Sequence, residues 1–326
     1  MSRIRGKAQP KGCQSAAVFI GIDVCKGWLD VFLHPDGGRF RVTNDATGID
    51  LLRKQCLKLS AELVVMEATG RYHRAAHACL HEAGLPVAVV NPYRSRRFAD
   101  VLGRLAKTDR IDAETLARFG ATMRPAISDP PTRIMAQIAE ATVARRQVVE
   151  ARIALEQQHS ESALAAIRAQ IAERIEMCRR HLEELDGMLL DLVKSEPMTS
   201  RRFEILTSVP GIGPVTATTL LVEMRELGAA NAAEIAALAG LAPMNRDSGQ
   251  FRGRKMIRGG RTAARNVLYM AATVAIRWNR DLAAFYNRLR ESGKPFKIAI
   301  TATMRKLIVL VNTLLTEDRM WSLTPP

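Results

Sequence analysis

At 326 residues the chain is too long for one ordinary hydrophobic core, and two or three units of about 100–150 residues each are expected. Its 48 Lys and Arg against 33 Asp and Glu leave a net charge of +15 and a pI near 10.2, a field that attracts polyanions, so nucleic acid is the first expected partner. With 47% hydrophobic and 25% charged residues, and Arg305 and Lys306 interrupting the most apolar late stretch (298–315), the composition points to a soluble globular chain with no membrane partner.

Residues 1–15 carry basic side chains but no apolar stretch or cleavage pattern, so export is not expected. The five cysteines (13, 25, 56, 79 and 178) include no C-x-x-C pair, which argues against a disulfide framework or a zinc knuckle and fits a reducing cytoplasm.

In chain order, residues 17–24, 28–33 and 39–43 look like strands, with a turn at 34–38 and a helical stretch after them. The apolar run 63–66, a helix at about 72–82, a second apolar run 87–90 and polar helical segments to about 120 complete an α/β layer fold. Pro130-Pro131 and Pro197 fence a proline-free stretch in which Ile171, Ile175, Cys178, Leu182, Leu185, Leu189 and Leu192 step by four and three. This spacing predicts a helical arm or hairpin whose seam pairs either with another chain or with its own domain.

The last third opens with an apolar helix and Val209-Pro210-Gly211-Ile212-Gly213-Pro214, a glycine-punctuated turn between helices. Such a turn resembles the helix-hairpin-helix of DNA-binding proteins, where Gly211 and Gly213 would let backbone N–H groups approach a phosphate, although similar turns also serve packing alone. Residues 244–280 then carry nine basic side chains against the single acid Asp247, focusing the positive charge of the chain.

Four acids stand where chemistry is expected. Asp23 ends the apolar run Val18-Phe19-Ile20-Gly21-Ile22, and Glu67 ends Leu63-Val64-Val65-Met66 in the same manner, so two carboxylates terminate two buried strands. Asp109 and Asp112 lie three apart on one helical face. Hard oxygen ligands of this kind suit Mg²⁺ or Mn²⁺, and a pair of such ions about 3.5–4 Å apart serves both the attacking and the leaving oxygen of a phosphodiester. Taken singly, Asp109 could instead cap a helix and Asp23 could simply end a strand. His73, His77 and His81 recur every four residues, but no fourth ligand is indicated and a zinc site is not expected.

The order Gly21-Ile22-Asp23-Val24-Cys25-Lys26, Glu67-Ala68-Thr69-Gly70, Asn91-Pro92 and Lys107-Thr108-Asp109-Arg110-Ile111-Asp112-Ala113 resembles the DEDD transposases of the insertion-sequence 110 family, which includes Piv-type DNA invertases. The later Val209-to-Gly213 turn, Ala239-Gly240-Leu241-Ala242-Pro243 and Asp247-Ser248-Gly249 are similar to the carboxyl-terminal domain of that family. The resemblance implies a RuvC-like (RNase H-like) domain at residues 1–130, a coiled-coil insert at 131–197 and a mainly α-helical transposase domain at 198–326. It also implies a DNA transposase or site-specific recombinase that cuts and rejoins donor and target DNA, with a divalent metal held by Asp23, Glu67, Asp109 and Asp112.

The resemblance further implies that the serine of the Asp-Ser-Gly context, here Ser248, forms a covalent phosphoserine link to DNA, and that a structured bridge RNA guides the recombination. On residue chemistry alone Ser248 is flanked by Arg246, Arg252 and Arg254 with no nearby histidine, and a turn serine is the plain alternative. The expected nucleic-acid contacts are Lys26, Arg71 and Lys107 beside the acids, Gly211 and Gly213 in the turn, and Arg246, Arg252, Arg254, Lys255, Arg258 and Arg261 in the basic segment. A homo-oligomer, dimer or tetramer, is expected because strand exchange holds several cut ends at once. The competing expectations are a hydrolytic Holliday-junction-type nuclease and a non-catalytic nucleic-acid-binding protein.

Overall fold

The computed structural model describes residues 17–103, 109–245, 247–248, 251–253 and 255–322. The chain divides into two units, Met1–Pro130 and Pro131–Pro326.

In the first unit the three leading β-rich runs become β1 (Phe19–Val24), β2 (Trp28–His34) and β3 (Arg39–Thr43), an antiparallel meander. Helix α1 (Ala46–Lys58) follows, started by Asp45, whose carboxylate accepts from the Gly48 N–H at 2.9 Å. It leads to β4 (Leu63–Glu67), α2 (Arg74–Glu82) and β5 (Val87–Val90). The strands form one sheet in the order β3-β2-β1-β4-β5, with β4 parallel to both β1 and β5. A mixed sheet of this order is consistent with an RNase H-like fold.

The period-2 alternation of the strands separates two cores. Ile20, Ile22, Val24, Val64, Met66 and Val87 pack with Ile49, Leu52 and Leu80 of α1 and α2. Phe19, Leu63, Val65, Ala88 and Val90 pack with Leu116 and Phe119 of α4 (Asp109–Met123) on the opposite face. Between β5 and α4 runs α3 (Pro92–Val101).

In the second unit the proline-free stretch forms two long helices, α5 (Arg133–Glu161) and α6 (Ala165–Lys194), which turn back on each other at Ser162–Leu164. Ile171, Ile175, Cys178, Leu182 and Leu189 of the expected seam are buried within this chain. Arg145 of α5 donates from Nε and Nη2 to Asp186 of α6 at 2.5 and 3.1 Å, fixing the antiparallel register. The hairpin turn has neither Gly nor Pro, and the burial of the two helical faces against each other sets it.

Helices α7 (Pro197–Ser208), α8 (Pro214–Glu223), α9 (Ala232–Leu238), α10 (Thr262–Trp278), α11 (Arg280–Glu291) and α12 (Phe296–Thr316) build the rest. By length and composition α12 could cross a membrane. Its Ile300, Met304, Leu307, Ile308, Val311 and Leu314 instead fill the core with Leu206, Leu220, Ile235 and Leu268, each side chain contributing roughly 1.5–3 kcal/mol by leaving water. Between α9 and α10 lie two short ladders, β6 (Pro243–Met244) with β9 (Met256–Ile257), and β7 (Asp247–Ser248) with β8 (Phe251–Arg252).

Candidate active site

The pairing of β1 with β4 decides where the first two acids stand. Ile22 is level with Met66 in this parallel ladder, so Asp23 and Glu67 are the next residues on neighbouring strands and emerge on the same side of the sheet. That side is the one α4 covers. Gly21, two residues before Asp23 and on the same face, makes the close cover possible: a Cβ there would lie 2.0 Å from the Ala113 oxygen and 2.4 Å from the Ala117 nitrogen. The helix backbone therefore rests on β1, and its N-terminal turn, which carries Asp112, points toward the strand ends where Asp23 and Glu67 emerge.

Asp112 and Asp23 are half-buried. Asp109 is the first residue of α4, one turn before Asp112, and its side chain lies outside the described residues. Among the described residues no three Asp, Glu, His or Cys side chains are grouped closely enough to hold a metal ion. The donor chemistry nevertheless fits a hard divalent cation, because the acids brought to this sheet edge offer only carboxylate oxygens.

The neighbours of the acids are specific. Glu67 accepts a hydrogen bond of 2.8 Å from the Ser95 hydroxyl of α3. Asp30 sits directly across from Asp23 on β2, and Arg41 of β3 holds it with two hydrogen bonds of 2.8 Å each, its guanidinium also lying 5.5 Å from the Trp28 ring. Without Arg41 two carboxylates would face each other across the ladder, a repulsive pair. On the same side Glu114 of α4 receives Arg39 at 2.6 Å and Arg118 at 3.0 Å.

Sequence reasoning missed Ser95 and Asp30. Asp30 reads as one more polar residue in an alternating strand, and only the register reveals it as the partner of Asp23.

Lys26 and Arg71 are exposed, just beyond the ends of β1 and β4. Lys107 lies outside the described residues. Two of the three histidines tie down chain: His77, 3% exposed, contacts the Ser128 oxygen at 2.6 Å, and His81 lies 3.2 Å from Asp129.

In the second unit the serine sits on a ribbon. Ser248 pairs with Phe251 at the end of the β7–β8 ladder, beyond the β6–β9 ladder. The ribbon closes where Gly240 meets Gly260, a Cβ on Gly260 falling 2.1 Å from the Gly240 nitrogen, and where Arg265 donates to the Gly259 oxygen at 2.6 Å. Arg246 and Arg254 lie outside the described residues, as do the side chains of Ser248 and Arg252. Lys255 and Arg258 are exposed on either side of β9.

Two expected phosphate contacts have other work. Arg261 spends its fork on Glu226 and also donates to the Glu223 oxygen, which anchors the ribbon. Gly211, at φ +106°, is needed for packing: a Cβ there would lie 2.7 Å from the Ala275 Cβ and 2.8 Å from the Ala271 oxygen. Gly213 differs, with nothing near the position of a Cβ and with α8 starting at the next residue, so the helix N-terminus there is open.

Residues 203–287 match the family described as Transposase IS116/IS110/IS902 family, and residues 20–169 match a family of DEDD transposases. Among curated relatives, the pilin gene-inverting proteins of Moraxella lacunata and Moraxella bovis are each 28% identical over 317 residues, covering 92% of this chain and 96% of theirs. A protein of insertion element IS110 from Streptomyces coelicolor is 27% identical over 144 residues, 44% of this chain and 35% of its own.

Proposed function

We propose a mechanism for a chain that belongs to the IS116/IS110/IS902 family of transposases and is, as a member, a DNA transposase or recombinase. The observation that carries it is the β1–β4 register, which sets Asp23 beside Glu67 under the first turn of α4. In this reading Asp23, Glu67, Asp109 and Asp112 hold Mg²⁺ or Mn²⁺. When bound, the metal lowers the cost of charge on the attacking and departing oxygens of a phosphodiester.

The chain's own residues supply the exchange. The Ser248 oxygen forms a bond to phosphorus as one ester oxygen of the DNA leaves, the hydroxyl proton passes to that departing oxygen or to solvent, and the strand remains joined to the protein as a phosphoserine ester. Attack by the hydroxyl of a second DNA strand reverses the step, releases Ser248 and rejoins DNA without loss of bond energy. The ribbon's anchoring by Arg261 and Glu226 supports Ser248 as a positioned nucleophile. Lys26 and Arg71 guide the backbone toward the acids, and Lys255 and Arg258, with Arg246, Arg252 and Arg254, hold it along the ribbon.

The same reading takes residues 1–130 as a RuvC-like domain, 131–197 as a coiled-coil arm and 198–326 as the carboxyl-terminal transposase domain, with the turn at 209–213 as a helix-hairpin-helix. The charge of +15 supports donor and target DNA and a bridge RNA as partners, in a bacterial cytoplasm. A dimer or tetramer is proposed from the need to hold several ends. The buried Ile171-to-Leu189 seam means that such an assembly would use other surfaces.

The test is covalent trapping. Wild-type protein incubated with donor DNA and Mg²⁺ should yield a protein–DNA adduct stable on denaturing gels, and Ser248→Ala should yield none. Metal-dependent cleavage that releases free ends, with no adduct, would instead identify a hydrolytic nuclease.

A further inference from the structure

A buried serine on α3 stands directly behind one of the acids. The strand β5 ends level with Glu67, since Val90 pairs with it, and the chain turns at once into α3. Asn91 caps that helix, its side chain accepting from the Tyr93 N–H at 2.8 Å, and Pro92 occupies the first turn with its φ already helical. One turn of helix then carries Ser95 back to the Glu67 carboxylate.

The position is unusual for a hydroxyl. Ser95 is the buried residue of an otherwise largely solvated helix, 6% exposed, and such a position is normally apolar because a hydroxyl out of water is costly without a partner. Its partner is a carboxylate. Ser95 Oγ lies 2.8 Å from Glu67 Oε2 and 3.0 Å from the Pro92 oxygen, and with one proton to give it favours the shorter, charge-assisted bond to Glu67. That bond occupies one carboxylate oxygen, restrains rotation of the Glu67 side chain and leaves Oε1 for a cation.

We infer that Ser95 is a positioning residue of the acidic site, orienting Glu67 so that its second oxygen is presented toward Asp23 and the first turn of α4. The inference rests on the proposed metal-binding role of Glu67. Hydrogen-bond partners of ligating carboxylates fix their geometry, and their loss costs about 10-fold or more in metal affinity.

The test is titration of the full-length, metal-free protein with Mn²⁺, free Mn²⁺ being followed by electron paramagnetic resonance, for wild type, Ser95→Ala, Ser95→Thr, Glu67→Gln and the Ser95→Ala/Glu67→Gln double variant. Ser95→Ala should bind Mn²⁺ about 10-fold more weakly. Ser95→Thr, which keeps the hydroxyl, should bind more tightly than Ser95→Ala, and the serine effect should vanish once Glu67 is Gln. In strand cleavage, Ser95→Ala should need more Mn²⁺ for half-maximal rate and recover most of the maximal rate at saturation.

Wild-type affinity in Ser95→Ala, or an equal loss with and without Glu67, overturns the inference and leaves the acid assignment standing. Unchanged Mn²⁺ binding in Glu67→Gln overturns the acid assignment, and this inference falls with it.

Discussion

Arg261 and Glu226 meet through two hydrogen bonds of 2.6 Å, donated by both Nη atoms of the arginine, at the point where the serine-bearing ribbon returns to its helical base. The Arg261 N–H also donates to the Leu238 oxygen at 2.8 Å, so side chain and backbone of one residue fasten the ribbon to α9 and to the segment after α8. Burial alone would raise the Glu226 pKa, but the hydrogen bonds and charge of Arg261 outweigh it and hold the carboxyl below its ordinary 4.5. The folded-state value is therefore depressed, and the stabilisation is complete above pH 4.5 and lost as pH falls through the folded value.

Glu226→Gln should thus lower stability at neutral pH by about 1–2 kcal/mol, less than a fully buried pair would cost because about a third of each side chain remains in water. The difference in melting temperature between wild type and variant should shrink as pH falls below 4.5. A constant difference across the acid range would show that the charge of Glu226 contributes nothing.

Gly211 and Gly213 should separate under substitution. Gly211→Ala forces a Cβ into α10 at a φ of +106° and should cost about 2–4 kcal/mol in unfolding free energy. Gly213→Ala meets open space and should leave stability within about 1 kcal/mol of wild type. Any loss of nucleic-acid affinity in a folded Gly213→Ala protein then reports on the open N-terminus of α8. A Gly211→Ala protein as stable as wild type would contradict the packing role.

How far these features can be read from the sequence depends on whether they are local. The strands and their order of appearance follow from apolar runs between turn residues, and the placement of Asp23 and Glu67 at strand ends follows from the same runs. Sheet order and register do not, because pairing is set by contacts between distant residues; Asp30 opposite Asp23 and Ser95 behind Glu67 become visible only through that pairing. The heptad spacing of α6 was legible, but not its partner, since the α5 face turned toward it includes Arg145, which breaks the apolar pattern. Gly211 and Arg261 look like phosphate contacts in sequence because glycine and arginine serve packing and phosphate binding alike, and only the neighbours distinguish the two uses.

Asn or Gln replacement of Asp23, Glu67 or Asp112 should abolish strand cleavage while preserving the fold and much of the nucleic-acid affinity. These side chains end strands or begin a helix and are not part of the apolar cores. Melting temperatures close to wild type, with cleavage reduced by at least about 100-fold in Mg²⁺, are expected. Wild-type cleavage by Asp112→Asn would remove that residue from the site.

The exposed cations of the ribbon should act on affinity through salt. Each phosphate contact that is lost reduces the release of counterions, so the slope of log K against log salt should fall by about 0.9 per lost contact to duplex DNA. Lys255→Ala together with Arg258→Ala should flatten that slope by up to about 2, whereas Arg261→Ala should mainly lower thermal stability. An unchanged slope in the double variant would take this strand of the ribbon out of the interface.

The nucleophile and the acids lie far apart in the sequence and in separate units, so whether one chain supplies both to a single reacting phosphate can be settled by mixing variants. Ser248→Ala retains all four acids, and Asp109→Asn retains the serine. Each should bind donor DNA, and neither alone should form an adduct. If the serine of one subunit works with the acids of another, a mixture contains assemblies in which one pairing is intact, and adduct should reappear, carried only by the Asp109→Asn chain. A tag that changes the length of one chain identifies the carrier on a denaturing gel. No adduct in the mixture would mean that each chain completes its own site, while an adduct on the Ser248→Ala chain would refute Ser248 as the attacking residue.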